Sequence, residues 1–145
     1  MMPSEIYKRL AEPFANTFKD VRGGVELEYI TGEQVVSRLN EVLGPGGWSF
    51  NIKQQAINPD ADEAWVLGVL TAQIEDGQNV VVREQFGSQK IKRSRTTNSP
   101  LDIGFDYKGA ATDALKKCAS WIGVGLYLSE RKQQTRPAAQ PYPRH

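Results

Sequence analysis

The fold is decided by residues 48–86, WSFNIKQQAINPDADEAWVLGVLTAQIEDGQNVVVREQF. Apolar and polar side chains alternate in this stretch with a period of two, which is typical of half-buried β-strands. The dipeptide Asp76-Gly77 lies between two alternating runs and favours a tight hairpin turn. The stretch therefore predicts an antiparallel meander of three strands, the first starting at Trp48, the second over residues 65–75 and the third over residues 79–86.

Helical spacing flanks the meander on both sides. Before it, Thr31 and Gln34 occupy the positions of a capping box, and apolar residues then recur at helical intervals as far as the stop at Gly44. After it, helical spacing extends over residues 105–122 and ends at Gly123. The sequence thus predicts an α+β fold in which a long helix packs against an antiparallel sheet and another helix precedes the sheet.

One domain is expected to hold most of the chain, because 145 residues suit a single core. We place this domain at residues 1–129, with a short first helix over 4–10 and a short closing segment over 126–128. Residues 16–28 show no clear period. Residues 130–145 are polar and contain three prolines, which predicts a flexible tail.

Catalytic and metal-dependent functions find little support in the sequence. Cys118 is the only cysteine and His145 the only histidine, so neither a four-ligand zinc site nor a histidine-centred catalytic triad is expected. The acidic run that contains Asp60 and Asp62 lacks the spacing of a calcium loop. We predict no enzyme activity, metal or cofactor. We also predict a cytoplasmic protein without membrane contact, because the sequence has neither an apolar run of about 18 residues nor a signal peptide.

Charge is distributed unevenly along the chain. The net charge is only +1, yet residues 83–145 carry 12 basic and 5 acidic side chains. Such asymmetry is expected of a protein with a polyanionic partner, and it is equally expected of a solvated surface with a basic tail.

The basic residues fall in two groups. Lys108, Thr112 and Lys116 are spaced by four and share the polar face of the last long helix, with Lys117 beside them. The stretch 87–104 before that helix has no apolar period and is predicted to be a mobile basic loop, with Lys90, Lys92, Arg93 and Arg95. Together they predict a groove that binds phosphates, although exposed lysines that only aid solubility remain an alternative. For the three tryptophans, Trp48, Trp65 and Trp121, packing is favoured over base stacking.

Two segments resemble the N-terminal domain of the Rad52/Rad22 family of single-strand annealing proteins. They are residues 29–48, YITGEQVVSRLNEVLGPGGW, and residues 108–127, KGAATDALKKCASWIGVGLY. The runs KRLAEPF at 8–14 and GLYL at 125–128 are similar to the bacterial DdrA branch and to related phage proteins. The resemblance covers residues 4–130 and implies a three- or four-stranded meander crossed by the long helix.

The resemblance also implies roles for individual residues. Lys116 and Lys117 would contact phosphates at the floor of a groove that encircles a protein ring. Gln34 and Ser120 stand where many relatives have basic residues, and Pro45 stands where an aromatic residue is common. These departures imply weaker DNA binding unless other cations compensate, for which the candidates are Lys53, Arg38 and Arg83.

The implied function is ATP-independent binding of single-stranded DNA, with annealing or end protection in DNA repair and recombination. The implied partners are single-stranded DNA, further copies of the chain in a ring, and other repair or recombination proteins, in the nucleoid of a bacterial or phage-infected cell. Two alternatives stay open. The first is a double-stranded RNA-binding domain, which has the same order of helix, three strands and helix. The second is an oligomeric scaffold for repair proteins whose basic surface is incidental.

Overall fold

The computed structural model describes residues 3–75 and 79–135, with the backbone alone at residues 75 and 131–135. In chain order the elements are α1 (Pro3–Leu10), β1 (Phe18–Arg22), β2 (Val25–Tyr29), α2 (Gly32–Leu43), β3 (Trp48–Asn58), β4 (Glu63–Glu75), β5 (Asn79–Lys90), α3 (Ile103–Ser120) and α4 (Leu126–Thr135). The expected α+β class is confirmed. Within the described residues, none of the helices is long and apolar enough to cross a membrane.

The main sheet is the predicted antiparallel meander, with strand order β3-β4-β5. Its strands are longer than the alternation indicated, because β3 continues to Asn58 and β5 to Lys90. The Asp76-Gly77 dipeptide, on which the hairpin prediction rested, lies outside the described residues.

Helix α3 packs across one face of this sheet at short range because the facing residues are small. A Cβ atom at Gly87 of β5 would collide with the carbonyl oxygen of Ala110 and approach the Ala114 methyl group to 2.8 Å. Ala110 and Ala114 are fully buried in this contact. The close fit fixes the position of α3 relative to β5.

The larger core lies between the sheet, α2 and the C-terminal half of α3, around Leu39, Leu70 and Ile122. Cys118 belongs to this core and donates its thiol hydrogen to the Arg83 carbonyl, with the sulfur 3.4 Å from the oxygen. Burial raises the pKa of the Cys118 thiol. Trp121, which the helical spacing assigned to the core, is instead 58% exposed.

The capping box at the start of α2 is confirmed. The Gln34 amide donates to the Thr31 hydroxyl at 3.2 Å, and the Thr31 amide donates to the Gln34 side chain at 2.8 Å. The Gln34 side chain also donates to the Asn16 carbonyl at 2.6 Å. It therefore anchors the segment that leads into β1.

Two elements were not expected from the sequence. Residues 18–29 form the β1–β2 hairpin, which turns at Gly23 and Gly24, both with positive φ (58° and 78°). At the other end, α4 continues through Thr135, so residues 130–135 are helical where a flexible tail was expected. Residues 136–145 lie outside the described range, and the division of the chain at residue 129 stays a prediction.

The prediction of a mobile basic loop over residues 87–104 is wrong. Residues 87–90 belong to β5, and residues 103–104 begin α3. The connection between them is ordered by backbone hydrogen bonds, from the Leu101 amide to the Lys92 carbonyl at 2.9 Å and from the Ser94 amide to the Ser99 carbonyl at 2.9 Å.

The sheet face opposite α3 is apolar and exposed. Side chains alternate along β5, so Gly87 faces α3 while Val80, Val82 and Phe86 point to the other side. Their exposed fractions are 52%, 51% and 60%. Trp65 of β4 packs edge-on against Phe86, with ring centroids 5.8 Å apart. In residues 3–75 and 79–135, no helix covers this apolar sheet face.

Candidate nucleic-acid interface

Two open depressions adjoin along the polar face of α3. The first, about 220 Å³, lies between α3, β2 and the start of α4. The second, about 560 Å³, lies between α3, the end of β5 and Arg22 at the tip of the hairpin. Both are lined by Asp113 and Lys116, so they form one continuous surface, which we name the α3 groove.

Helical geometry places the cations in the groove. Lys108, Thr112 and Lys116 all line the second depression, as their spacing of four predicts, and Lys117 lines the first. The ammonium of Lys116 lies 5.6 Å from the centroid of the Tyr29 ring at the base of the hairpin. The hairpin therefore forms one wall of the groove above the basic face of α3.

Lys117 has partners within the chain. Its ammonium lies 3.1 Å from the Asp113 carboxylate, one turn earlier on α3, and it donates to the Phe86 carbonyl at 3.4 Å. Both lysine and aspartate side chains are partly exposed, at 51% and 38%. Exposed pairs at this spacing contribute only about 0.3–0.5 kcal/mol. A phosphate in the groove can therefore compete with Asp113 for the Lys117 ammonium.

Asp113 places a negative charge where the two depressions meet. Its carboxylate also accepts the Ser88 amide hydrogen at 3.0 Å. Because β5 is an edge strand, Asp113 and Lys117 together cover backbone groups on the free side of that strand. Both residues thus support the fold as well as setting the charge of the groove.

The cations before α3 are divided between two directions. Lys92 lies against Phe105, which lines the second depression, with its ammonium 4.4 Å from the centroid of the ring. Arg93 points away and donates two hydrogen bonds to the Asp62 carboxylate, at 2.8 and 3.1 Å. Lys90 also points away, donating to the Ala61 carbonyl at 2.7 Å. Arg95 is exposed in the turn and does not line either depression.

The hydrogen-bonded ion pair between Arg93 and Asp62 shifts the pKa values of both side chains. The hydrogen bond from Arg93 lowers the pKa of the Asp62 carboxyl, and the same bond raises the pKa of Arg93. Asp62 is thereby an ion-pair partner within the acidic turn. Among the described residues, no three His, Cys, Asp or Glu side chains cluster as metal ligands would.

The three cations expected to compensate do not line the groove. Arg38 donates to the carbonyls of Leu10 and Glu12 at 3.0 and 2.6 Å, so it caps the end of α1. Lys53 pairs with Glu84 at 3.0 Å on the sheet face opposite α3. Arg83 is partly buried on β5 and donates to its neighbour's backbone carbonyl at 2.9 Å. The contacts of Arg38 and Lys53 join residues 26 to 31 positions apart, which side-chain type alone does not reveal, and the part of all three cations in DNA binding stays a prediction.

Several groove residues were missed by sequence reasoning, among them Asp113, Arg22 and Phe105. Arg22 belongs to the hairpin that showed no period, and Phe105 was treated only as the start of a helix. Of the three tryptophans, Trp48 is confirmed as a packing residue and donates its indole hydrogen to Asn40 at 2.7 Å. Trp121 is exposed but does not line the groove depressions.

Comparison with known proteins identifies the family. Residues 3–144 match the profile described as Rad52/22 family double-strand break repair protein. The chain belongs to the Rad52/22 family. This confirms the resemblance of the two quoted segments, and the fold is consistent with the N-terminal domain of Rad52/22 proteins.

Curated relatives agree with the DdrA-like branch. The chain is 31% identical over 143 residues to the single-stranded DNA-binding protein DdrA of Deinococcus deserti, covering 92% of this chain and 61% of that protein. It is also 31% identical over 143 residues to the protein of the same name from Deinococcus radiodurans, covering 92% and 59%. The chain therefore spans about three fifths of the length of these relatives.

Proposed function

We propose that the chain binds single-stranded DNA along the α3 groove. The observation that carries the proposal is the continuity of the groove, because Lys116 and Asp113 line both depressions and Lys108 extends the cationic side by two turns. A line of ammonium groups can neutralise successive phosphates, and each contact gains affinity by releasing counterions. The printed name of the two DdrA relatives, single-stranded DNA-binding protein, agrees with this function.

Annealing follows from the same geometry without a nucleotide cofactor. A strand whose phosphates lie on the lysines keeps its base edges available to solvent. Two complementary strands held in this way can test their pairing, and base pairing with stacking supplies the free energy. We therefore propose ATP-independent annealing in DNA repair and recombination, with protection of DNA ends as the second outcome of the same binding.

Self-association is the second part of the proposal. Exposed apolar patches on soluble proteins mark interaction sites, and Val80, Val82 and Phe86 form such a patch on the outer face of the sheet. This face lies on the side of the sheet opposite the α3 groove, so a ring requires that it pack against a different surface of the next copy, because heterologous contacts of this kind can repeat and close. Light scattering with and without an oligonucleotide tests this part, and a strict monomer at working concentration would rule it out.

DNA binding is tested by fluorescence anisotropy with a labelled oligonucleotide over a salt series. Lys116→Ala and Lys108→Ala should each weaken binding and flatten the slope of log K against log salt by about 0.7, the value for one phosphate on a single strand. Lys53→Ala is the matched control, because it removes one lysine from the opposite face of the sheet. Equal effects of all three variants would show that net charge, rather than the groove, governs binding.

Two further assays separate the alternatives. Complementary oligonucleotides with a duplex-sensitive dye should pair faster with the protein than in buffer, and this gain should fall in Lys116→Ala. Competition between single-stranded DNA and duplex RNA tests the RNA-binding alternative, which predicts that the duplex displaces the strand. A scaffold for repair proteins would keep its protein partner when Lys116 is neutralised and would show no annealing.

A further inference from the structure

Phe105 is an aromatic side chain exposed inside a cationic groove. It lies in the first turn of α3, where the Asp102 carboxylate accepts its backbone amide at 3.0 Å and caps the helix. The residue is 48% exposed and lines the second depression together with Lys108, which is one turn further along the helix. A rigid helix thus positions the ring, and the groove presents it to a ligand.

One cation contacts the exposed ring, and two more line the same depression. The Lys92 ammonium lies 4.4 Å from the ring centroid, and Arg22 and Lys108 line the same depression. Leaving a phenyl ring in water costs free energy that a smaller polar side chain would avoid. A ligand that is both anionic and aromatic would cover the ring and meet the cations at once, and a nucleotide has this composition.

Resting on the proposed function, we propose that Phe105 stacks on one nucleobase of the bound strand while Lys92 and Lys108 hold the phosphates next to it. Base–aromatic stacking is tolerant of sequence because every base has a π-face. The groove would then combine charge along α3 with one fixed stacking position at its N-terminal end. That position sets where each strand is held relative to the helix.

The other aromatic candidates are placed differently. Trp48 is engaged with Asn40, and Trp65 packs against Phe86 on the far face of the sheet. Tyr29 lines the first depression but is partly buried there, whereas Phe105 is 48% exposed. Phe105 is the aromatic residue that lines the larger depression, which also contains Lys108 and Thr112.

The test compares two oligonucleotides of equal length and charge, one with bases and one in which the central nucleotides are abasic. Phe105→Leu keeps an apolar side chain and removes the π-face, and Phe105→Tyr keeps the π-face. We expect Phe105→Leu to raise the dissociation constant for the normal strand by at least about fivefold. The same variant should leave the constant for the abasic strand unchanged, and Phe105→Tyr should match the parent protein on both.

Other results would overturn the inference. An equal loss on both strands from Phe105→Leu would mean that the residue acts through the position of α3 or Lys92, and no loss on either would mean that it does not stack. Lys116→Ala run in parallel should weaken both strands alike. If Lys116→Ala has no effect, the proposed groove fails, while the ratio between normal and abasic strands in Phe105→Leu still decides whether Phe105 stacks.

Discussion

Asp113→Asn should tighten DNA binding, although it removes an ion pair from the protein. The Asp113 carboxylate lies at the junction of the two groove depressions and 3.1 Å from the Lys117 ammonium. Asparagine keeps the side-chain oxygen that accepts the Ser88 amide, so the edge of β5 keeps its partner. The substitution therefore removes negative charge from the groove and releases Lys117 with little change to the fold.

The size of the effect follows from Coulomb's law. A phosphate held at Lys117 would lie roughly 6 Å from the carboxylate, where repulsion between unit charges is about 0.7 kcal/mol in water and about 2.8 kcal/mol at an effective dielectric constant of 20. Salt screens this exposed site toward the lower figure. We expect binding tighter by about threefold to tenfold at low salt, with a salt slope steeper by about 0.7 as Lys117 takes a phosphate.

Fluorescence anisotropy over a salt series measures both quantities. Glu84→Gln is the matched control, because it removes a carboxylate that pairs with a lysine on the opposite sheet face at the similar distance of 3.0 Å. A folded Asp113→Asn protein with unchanged affinity and slope would refute the placement of phosphates along α3. A gain of the same size in Glu84→Gln would attribute the effect to net charge.

Three further predictions concern the scaffold that holds the groove. Gly87→Val should lower the free energy of unfolding by about 1–3 kcal/mol, because the new side chain collides with the Ala110 carbonyl. A urea midpoint equal to that of the parent protein would contradict the close packing of α3. Arg38→Ala should lower the free energy of unfolding by about 1–3 kcal/mol, because the carbonyls at the end of α1 lose their donor, while the DNA affinity of the folded protein stays unchanged. A loss of affinity without a loss of stability would show that Arg38 contacts DNA. The lowered pKa of Asp62 means that its pair with Arg93 stabilises the fold above the ordinary carboxyl pKa, and that this stability is lost as the pH falls through the lowered value. Asp62→Asn should therefore be less stable than the parent protein at neutral pH and equally stable in strong acid. Urea midpoints at several pH values measure this, and a difference that does not change with pH would refute the linkage.

The parts of the fold that local chemistry determines were accessible from the sequence. Thr31 and Gln34 form the predicted capping box because both partners lie within one helical turn. The spacing of Lys108, Thr112 and Lys116 placed them together for the same reason. The family resemblance then led to the expectation of a groove. The roles that it implies for individual residues stay predictions.

The missed features depend on distant contacts or on an unused turn signal. The β1–β2 hairpin buries little surface, so its strands do not show the alternation of apolar and polar residues that indicates a half-buried strand. The Gly23-Gly24 pair, however, is a recognised hairpin turn and could have indicated the hairpin. The connection before α3 is held by backbone hydrogen bonds and also by the pair between Arg93 and Asp62, which are 31 positions apart. Such a pair has no local signature.

The openness of the α3 groove bears on how a strand would enter it. The depressions lie on the surface between α3, the hairpin and the end of β5, and both are open to solvent rather than enclosed. Loading from the side would then need no terminus to be threaded through a hole. A covalently closed single-stranded circle should therefore compete as well, per nucleotide, as a linear strand of the same sequence.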